Sequence, residues 1–209
     1  LRGVRPPREG IVTRVPVSFH HHVADDRPIT PAGVEAQARW LSRRGYRTPS
    51  LADLHAHVTG GASLPARSVL ITFDDGYADN WICAYPSLRR HGLRAVVFLT
   101  TARMSGRGVR PTLAEGARSP ETLRNERRPE GFLSWDEVRA MSASGVFELG
   151  AHSHSHNEFD RRRPWPGLAN ELAVSRALIE REAGVPVTAL AWPWGRYDDR
   201  LVDAARQAG

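Results

Sequence analysis

Residues 67–77 read RSVLITFDDGY. Val69, Leu70, Ile71 and Phe73 form a run that is apolar at consecutive positions, not at alternate ones. That pattern suits a strand covered on both faces, as in a parallel sheet, better than a half-exposed one. The run stops at Asp74-Asp75-Gly76, two carboxylates and a glycine. In parallel sheets and barrels, the C-terminal ends of the strands are where ligands bind and chemistry is done. The stretch therefore predicts a buried parallel strand whose far end opens on a polar site.

Strand and helix patterns alternate on either side of it. Upstream, VPVSFHHHV (15–23) is a short β-rich segment. Residues 30–46 read as a helix with Thr30 as N-cap, Pro31 at the first helical position, Gly45 as the stop, and a Val34, Ala38, Leu41 stripe. Residues 50–58 read as a shorter helix capped by Ser50. Downstream come a helix over 78–92 closed by Gly92, a buried strand over 94–101, and a polar insertion over 102–131 rich in Gly, Pro and Arg. A helix over 134–145 follows, opened by a Ser134/Glu137 capping box. The remaining expectations are a strand over 146–152, a helix over 168–184, a strand over 187–195 and a last helix from 198. This order argues for an α/β fold with a parallel sheet or barrel. One domain over residues 1–209 is expected, since 209 residues suffice for one sizeable core.

Composition narrows the function classes. With 41% hydrophobic and 25% charged residues the chain is globular. Its net charge is +6 and its pI about 10.5. All 29 basic residues are Arg, spread in pairs such as Arg43-Arg44, Arg89-Arg90 and Arg127-Arg128. Such spacing suits a solvated surface better than a nucleic-acid groove, and no basic helix or aromatic-basic platform stands out. The lone Cys83 allows no intrachain disulfide and reads as a small core residue. No apolar run approaches the ~20 residues that span a bilayer. The chain starts at Leu1 with no signal segment, so it is expected to be a trimmed or processed piece.

Three strand ends carry the notable side chains: Asp74-Asp75, the histidines of GAHSHSHNEF (150–159), and Trp192 to Gly195. One Asp and two His make a facial metal set, accepted by zinc, cobalt, nickel or iron(II). His152 and His156 are four apart, and His154 between them can replace either. Adjacent Asp residues on an extended backbone point apart, which suits a division of labour: one holds a metal, the other takes a proton from water. A polar histidine loop and an Asp-Asp-Gly turn are the plainer alternatives.

TFDDGY, HSHSH and AWPWG, in that order and set in this alternation, resemble the polysaccharide deacetylase superfamily of metal-dependent hydrolases. PVSFHHHV and the stretch FLSWDEVRAMSASGVFELGAHSHSH resemble its poly-N-acetylglucosamine deacetylase branch. The resemblance implies a distorted, incomplete (β/α) barrel with parallel strands. It implies Asp74 as general base, and Asp75, His152 and His156 as ligands of one divalent ion, zinc first, with His154 a neighbour. Thr72 and Phe73 would position the aspartates, the backbone N–H near Tyr77 would help hold the oxyanion, and Pro193, Trp194 and Gly195 would wall the groove. Aligning Pro16-Val17 and Val23 with the branch's N-terminal element selects His21 as the proton donor, with His20 and His22 as alternatives. Two departures stand out: Ala191 occupies the position of a common family Arg, and the closing part of the fold is expected to lie beyond Gly209. The implied reaction is hydrolysis of N-acetyl amides of a glycan partner, outside the cytoplasm, with a bell-shaped pH dependence. A carbohydrate-binding relative without activity is the alternative, and a nucleic-acid binder a remote third. Trp81, Trp135, Trp165, Trp192 and Trp194 are candidates to stack on sugar.

Overall fold

The computed structural model describes residues 14–104, 106–117, 131–158 and 167–209. Four short strands, β1 (Val17–His20), β2 (Leu70–Phe73), β3 (Ala95–Leu99) and β4 (Phe147–Ala151), form one sheet. Their order is β1-β2-β3-β4 and every pairing is parallel, with Phe19 opposite Thr72 and Phe98 opposite Gly150. Consecutive parallel strands need crossovers. Helices α1 (Pro31–Arg43) and α2 (Leu51–Val58) join β1 to β2, α3 (Tyr85–Arg90) lies between β2 and β3, and α4 (Trp135–Ala143) between β3 and β4. Helices α5 (Leu168–Ala183) and α6 (Asp199–Gln207) follow. The expected α/β architecture is therefore observed. No helix among the described residues is long and apolar enough to cross a membrane.

β2 and β3 are buried at every position, because both sheet faces are covered. On one face Ile71, Phe73, Val97, Leu99, Phe147 and Leu149 join Val34, Ala38 and Leu41 of α1 and Val138 and Met141 of α4 in the main core. On the other, Leu70, Val96 and Phe98 pack with Leu51 and Leu54 of α2 and with Ala189 and Ala191. Each fully buried large side chain contributes about 1.5–3 kcal/mol through apolar burial. Gly150 permits this packing: a Cβ there would lie 2.4 Å from the Phe98 ring on the adjacent strand.

The helix signals correspond to real caps. Thr30 Oγ1 accepts from Gly33 N, Ser50 forms a capping box with Asp53, and Ser134 forms one with Glu137. The helix expected over 78–92 is present, with a π-helical turn at Asn80–Ala84 inside it, where the Tyr85 N–H donates to the Asn80 carbonyl. Pro86, at the start of α3, has no N–H for the i−4 bond, which favours the wider turn. One expectation needs correction: residues 187–195 do not form a full strand. Only Leu190 bridges Ala151, with Ala151 N–H donating to Ala189 O at 2.9 Å and Ala191 N–H to Ala151 O at 3.0 Å. Pro186 and Pro193 bracket the segment, Pro193–Gly195 turns into a 3-10 helix, and Trp194 adopts a φ of 62°.

The insertion expected at 102–131 is described in part. Its residues up to 117 are tied to α4 by Glu137, which is completely buried. Arg110 donates from Nε to Glu137 Oε1 at 2.7 Å and from a terminal nitrogen to Oε2 at 2.6 Å. The backbone N–H groups of Arg110 and Ser134 donate to the same carboxylate. Removing one partner of such a pair leaves a buried charge uncompensated. Arg110→Ala is expected to lower unfolding free energy by about 3 kcal/mol in urea titration, and adding Glu137→Gln to recover part of it. A change below about 0.5 kcal/mol would show that the loop is held by other contacts.

Candidate active site

All the expected site segments leave the C-terminal ends of the parallel strands. β1 runs into His20-His21-His22, β2 into Asp74-Asp75, β4 into His152, and the Leu190 bridge into Pro193-Trp194-Gly195.

The turn after β2 separates the two carboxylates. Asp75 has a φ of 72° and Gly76 one of 79°. Aspartate tolerates the left-handed region better than most residues. Gly76 could not be replaced without displacement, since a Cβ would lie 2.8 Å from Met104 and 3.0 Å from Leu99. Asp75 thereby turns toward the histidine loop, while Asp74 stays in line with β2, its N–H donating to His20 O at 2.8 Å.

Asp75, His152 and His156 each present a ligand atom within 4.8 Å of the others, a cluster that can hold a metal ion. His156 Nε2 lies 3.0 Å and His152 Nε2 3.6 Å from Asp75 Oδ1. His152 Nδ1 lies 2.9 Å from the Ala191 carbonyl, which accepts a hydrogen bond from Nδ1–H and thus leaves the Nε2 lone pair aimed at Asp75. Asp75 Oδ1 is buried yet has no aligned hydrogen-bond donor, although His156 is within ion-pair distance. Lone pairs converging on one buried point fit a divalent cation, and N₂O donors suit zinc, cobalt, nickel or iron(II). His154 is not in the cluster: its Nδ1 pairs with Thr101 Oγ1 at 2.9 Å.

The two carboxylates differ electrostatically. Burial pushes the Asp74 carboxyl up, and the Asp75 charge adds to this. His21 and His156 oppose it, leaving a value of about 6. Burial also acts on Asp75, but the nearby His156, His152 and His21 outweigh it and hold that group at about 2. Asp74 Oδ1 is buried and has no hydrogen-bond partner among the described residues.

The three consecutive histidines are sorted by their surroundings. His20 is buried against Phe73, with Nε2 3.1 Å from Ser18 Oγ, and burial above all lowers its pKa. His22 pairs through Nδ1 with the fully buried Asp79 at 2.7 Å and stacks on Tyr77 at 3.5 Å. His21 is exposed, and its charge reaches Asp74, Asp75 and His152. Asn80 steadies this segment by donating to His21 O at 2.8 Å and to Asp79 Oδ1 at 2.9 Å. Asp79 and Asn80 were not singled out in the sequence. Their signal, two polar residues within an apolar helical run, was available.

Among the tryptophans, Trp194 is 67% exposed and stands edge-on to His156 at 5.5 Å. Pro193, next to it in the chain, is buried. Trp81 is a core residue: it is buried, stacks on Tyr85, and donates from Nε1 to Arg110 O at 2.8 Å. Trp135 packs against the core, Trp192 is half-buried, and Trp165 lies outside the described residues.

These shifts have a measurable consequence without metal. Asp74 rises from 3.8 to about 6, so within that window the folded state holds a proton that the unfolded chain has released. Its contribution favours folding at low pH and is lost as pH rises through about 6. His152 falls from 6.5 to about 4, chiefly through burial, so there the unfolded chain binds the extra proton and stability drops as pH falls. The two effects offset each other between about pH 4 and 6. Asp74→Asn removes the first and relieves ~2–3 kcal/mol of charge burial at neutral pH. Chelator-treated Asp74→Asn protein is expected to melt several degrees higher than wild type at pH 7.5, and to lose that advantage steadily below pH 6.5. A variant less stable than wild type at pH 7.5 would contradict an uncompensated buried carboxylate.

Comparison with known proteins agrees with this geometry. The sequence profile of the polysaccharide deacetylase family matches residues 61–209. The chain is 25% identical over 198 residues to YxkH of Bacillus subtilis (strain 168), covering 94% of this chain and 62% of that protein. It is 28% identical over 156 residues to the poly-beta-1,6-N-acetyl-D-glucosamine N-deacetylase of Escherichia coli (strain K12), covering 72% of this chain and 22% of that protein. It thus spans less than two thirds of either relative. A de-N-acetylase from Aggregatibacter actinomycetemcomitans shares the fold with a TM-score of 0.74 at 24% identity, over 93% of this chain and 85% of that one. IcaB from Ammonifex degensii does so with a TM-score of 0.75 at 22% identity, over 93% and 80%. With the strand-end carboxylates and histidines in place, the match over residues 61–209 is decisive: this chain belongs to the polysaccharide deacetylase family.

Proposed function

We propose that this protein is a metal-dependent de-N-acetylase that hydrolyses the acetamido group of N-acetylglucosamine-containing glycans. The observation that carries this reading is the convergence of Asp75, His152 and His156 beside a second carboxylate, Asp74, held near pKa 6. The poly-N-acetylglucosamine deacetylase of E. coli among its relatives supports the substrate class. An envelope or secreted location accords with such a substrate.

Asp75, His152 and His156 hold the ion. A divalent cation supplies Lewis-acid polarisation of the acetyl carbonyl and makes water more acidic. Asp74, whose pKa burial lifts to about 6, is ionised above that pH and basic enough to take a proton from the attacking water. The backbone N–H near Tyr77 donates to the developing oxyanion. His21, protonated, gives its proton to the amine nitrogen as the C–N bond breaks, since an amine is a poor leaving group until protonated. The products are acetate and a glucosamine amine. Pro193, Trp194 and Gly195 wall the groove, and the exposed Trp194 ring offers an apolar face to a sugar.

Acetate release from N-acetylglucosamine oligomers is expected to require added zinc or cobalt and to fall by about 10²–10⁴-fold in Asp74→Asn. No release from metal-loaded wild type, with oligomers still bound, would favour an inactive carbohydrate-binding relative. His21→Ala is expected to lose amide hydrolysis by a similar factor while keeping much of its activity on p-nitrophenyl acetate, whose leaving group needs no proton. Equal loss on both substrates would remove His21 from the proton-donor role.

A further inference from the structure

We propose that Glu171 is a positioning residue of the metal centre, holding the His152–His156 loop in ligand-bearing form; this rests on the metal reading above. Both histidines lie beyond the end of β4: His152 N–H still donates to Leu99 O of β3 at 3.0 Å, while His156 lies four residues further along the loop. The loop between them is conformationally costly. Ser153 has a φ of 62° and His156 one of 59°, each in a region that non-glycine residues avoid. Such a backbone persists only where its surroundings over-determine it.

Two sets of contacts do this. From β3's end, Ala102 N–H donates to His154 O at 2.9 Å and Thr101 N–H to Ser153 O at 3.4 Å. From the opposite side, a single carboxylate oxygen, Glu171 Oε2, accepts from His154 N at 3.1 Å and Ser155 N at 3.0 Å. Successive backbone N–H groups that point to one oxygen form a small anion-binding nest. Glu171 lies in the first turn of α5, whose N-cap Gly167 makes no side-chain cap bond. A carboxylate in a helix's first turn is favoured by the helix dipole; this one also reaches the histidine loop. The two amides it holds belong to the residues between the ligands, so their orientation sets where the His156 ring meets Asp75.

The test is zinc affinity of the full chain, measured by competition with a chromophoric chelator, alongside amide hydrogen exchange at residues 154 and 155. Glu171→Ala is expected to weaken zinc binding by about 10–100-fold, as loss of outer-shell partners does elsewhere. It should also strip exchange protection from those two amides while the circular dichroism of the chelated protein stays unchanged. Glu171→Gln, which keeps an acceptor oxygen, should retain affinity within about threefold. Equal zinc affinity in wild type and Glu171→Ala would overturn the proposal and leave the metal site standing. A loss in Glu171→Gln as large as in Glu171→Ala would replace positioning by carboxylate charge as the cause. Wild type that binds no zinc would overturn both this proposal and the metal reading.

Discussion

Two adjacent carboxylates take different directions and different pKa values within one site, and the left-handed turn at Asp75-Gly76 lets them. An extended backbone would send the side chains of Asp74 and Asp75 to opposite sheet faces. With a φ of 72° at Asp75 and 79° at Gly76, the second carboxylate swings instead toward the histidine loop after β4. Gly76 is then packed under Met104 and Leu99, and Gly76 O accepts from Leu133 N at 3.0 Å. The turn is thereby built into the core and cannot relax without disturbing it. His152 needs the same core: its Nδ1 is oriented by the Ala191 carbonyl, itself placed by the bridge from β4.

Burial sets the chemistry as much as geometry does. Burial acts on both Asp74 and Asp75, yet one rises to about 6 and the other falls to about 2, because the His156 and His152 imidazoles stand at ion-pair distance from Asp75. A pair pushed apart in this way is what acid–base division of labour requires. Asp74, buried without a hydrogen bond at Oδ1, is a local loss of stability. Sites that carry such a loss are characteristic of function and not of packing.

Much of the fold was legible from local signals. Alternation of apolar runs with capped helices identified all four sheet strands, and Thr30, Ser50 and Ser134 marked helix starts because cap chemistry is local. The segment over 187–195 misled, since its apolar residues suit a strand while two prolines limit the pairing it can make. The π-helical turn at Asn80–Ala84 also had only a weak signature, Pro86.

By itself the sequence determined the parallel α/β architecture, the family-bearing motifs and the set of ionisable residues at the strand ends. These follow from periodicity, capping and residue type, which are properties of short stretches. Only the tertiary structure decided which histidines meet Asp75, and that His20, His21 and His22 go three different ways. Only it enlisted Asp79, Asn80 and Glu171 and assigned Trp81 to the core. Those outcomes depend on contacts between residues tens of positions apart, such as His22 with Asp79, and on burial. Neither spacing nor composition along the chain encodes such contacts locally.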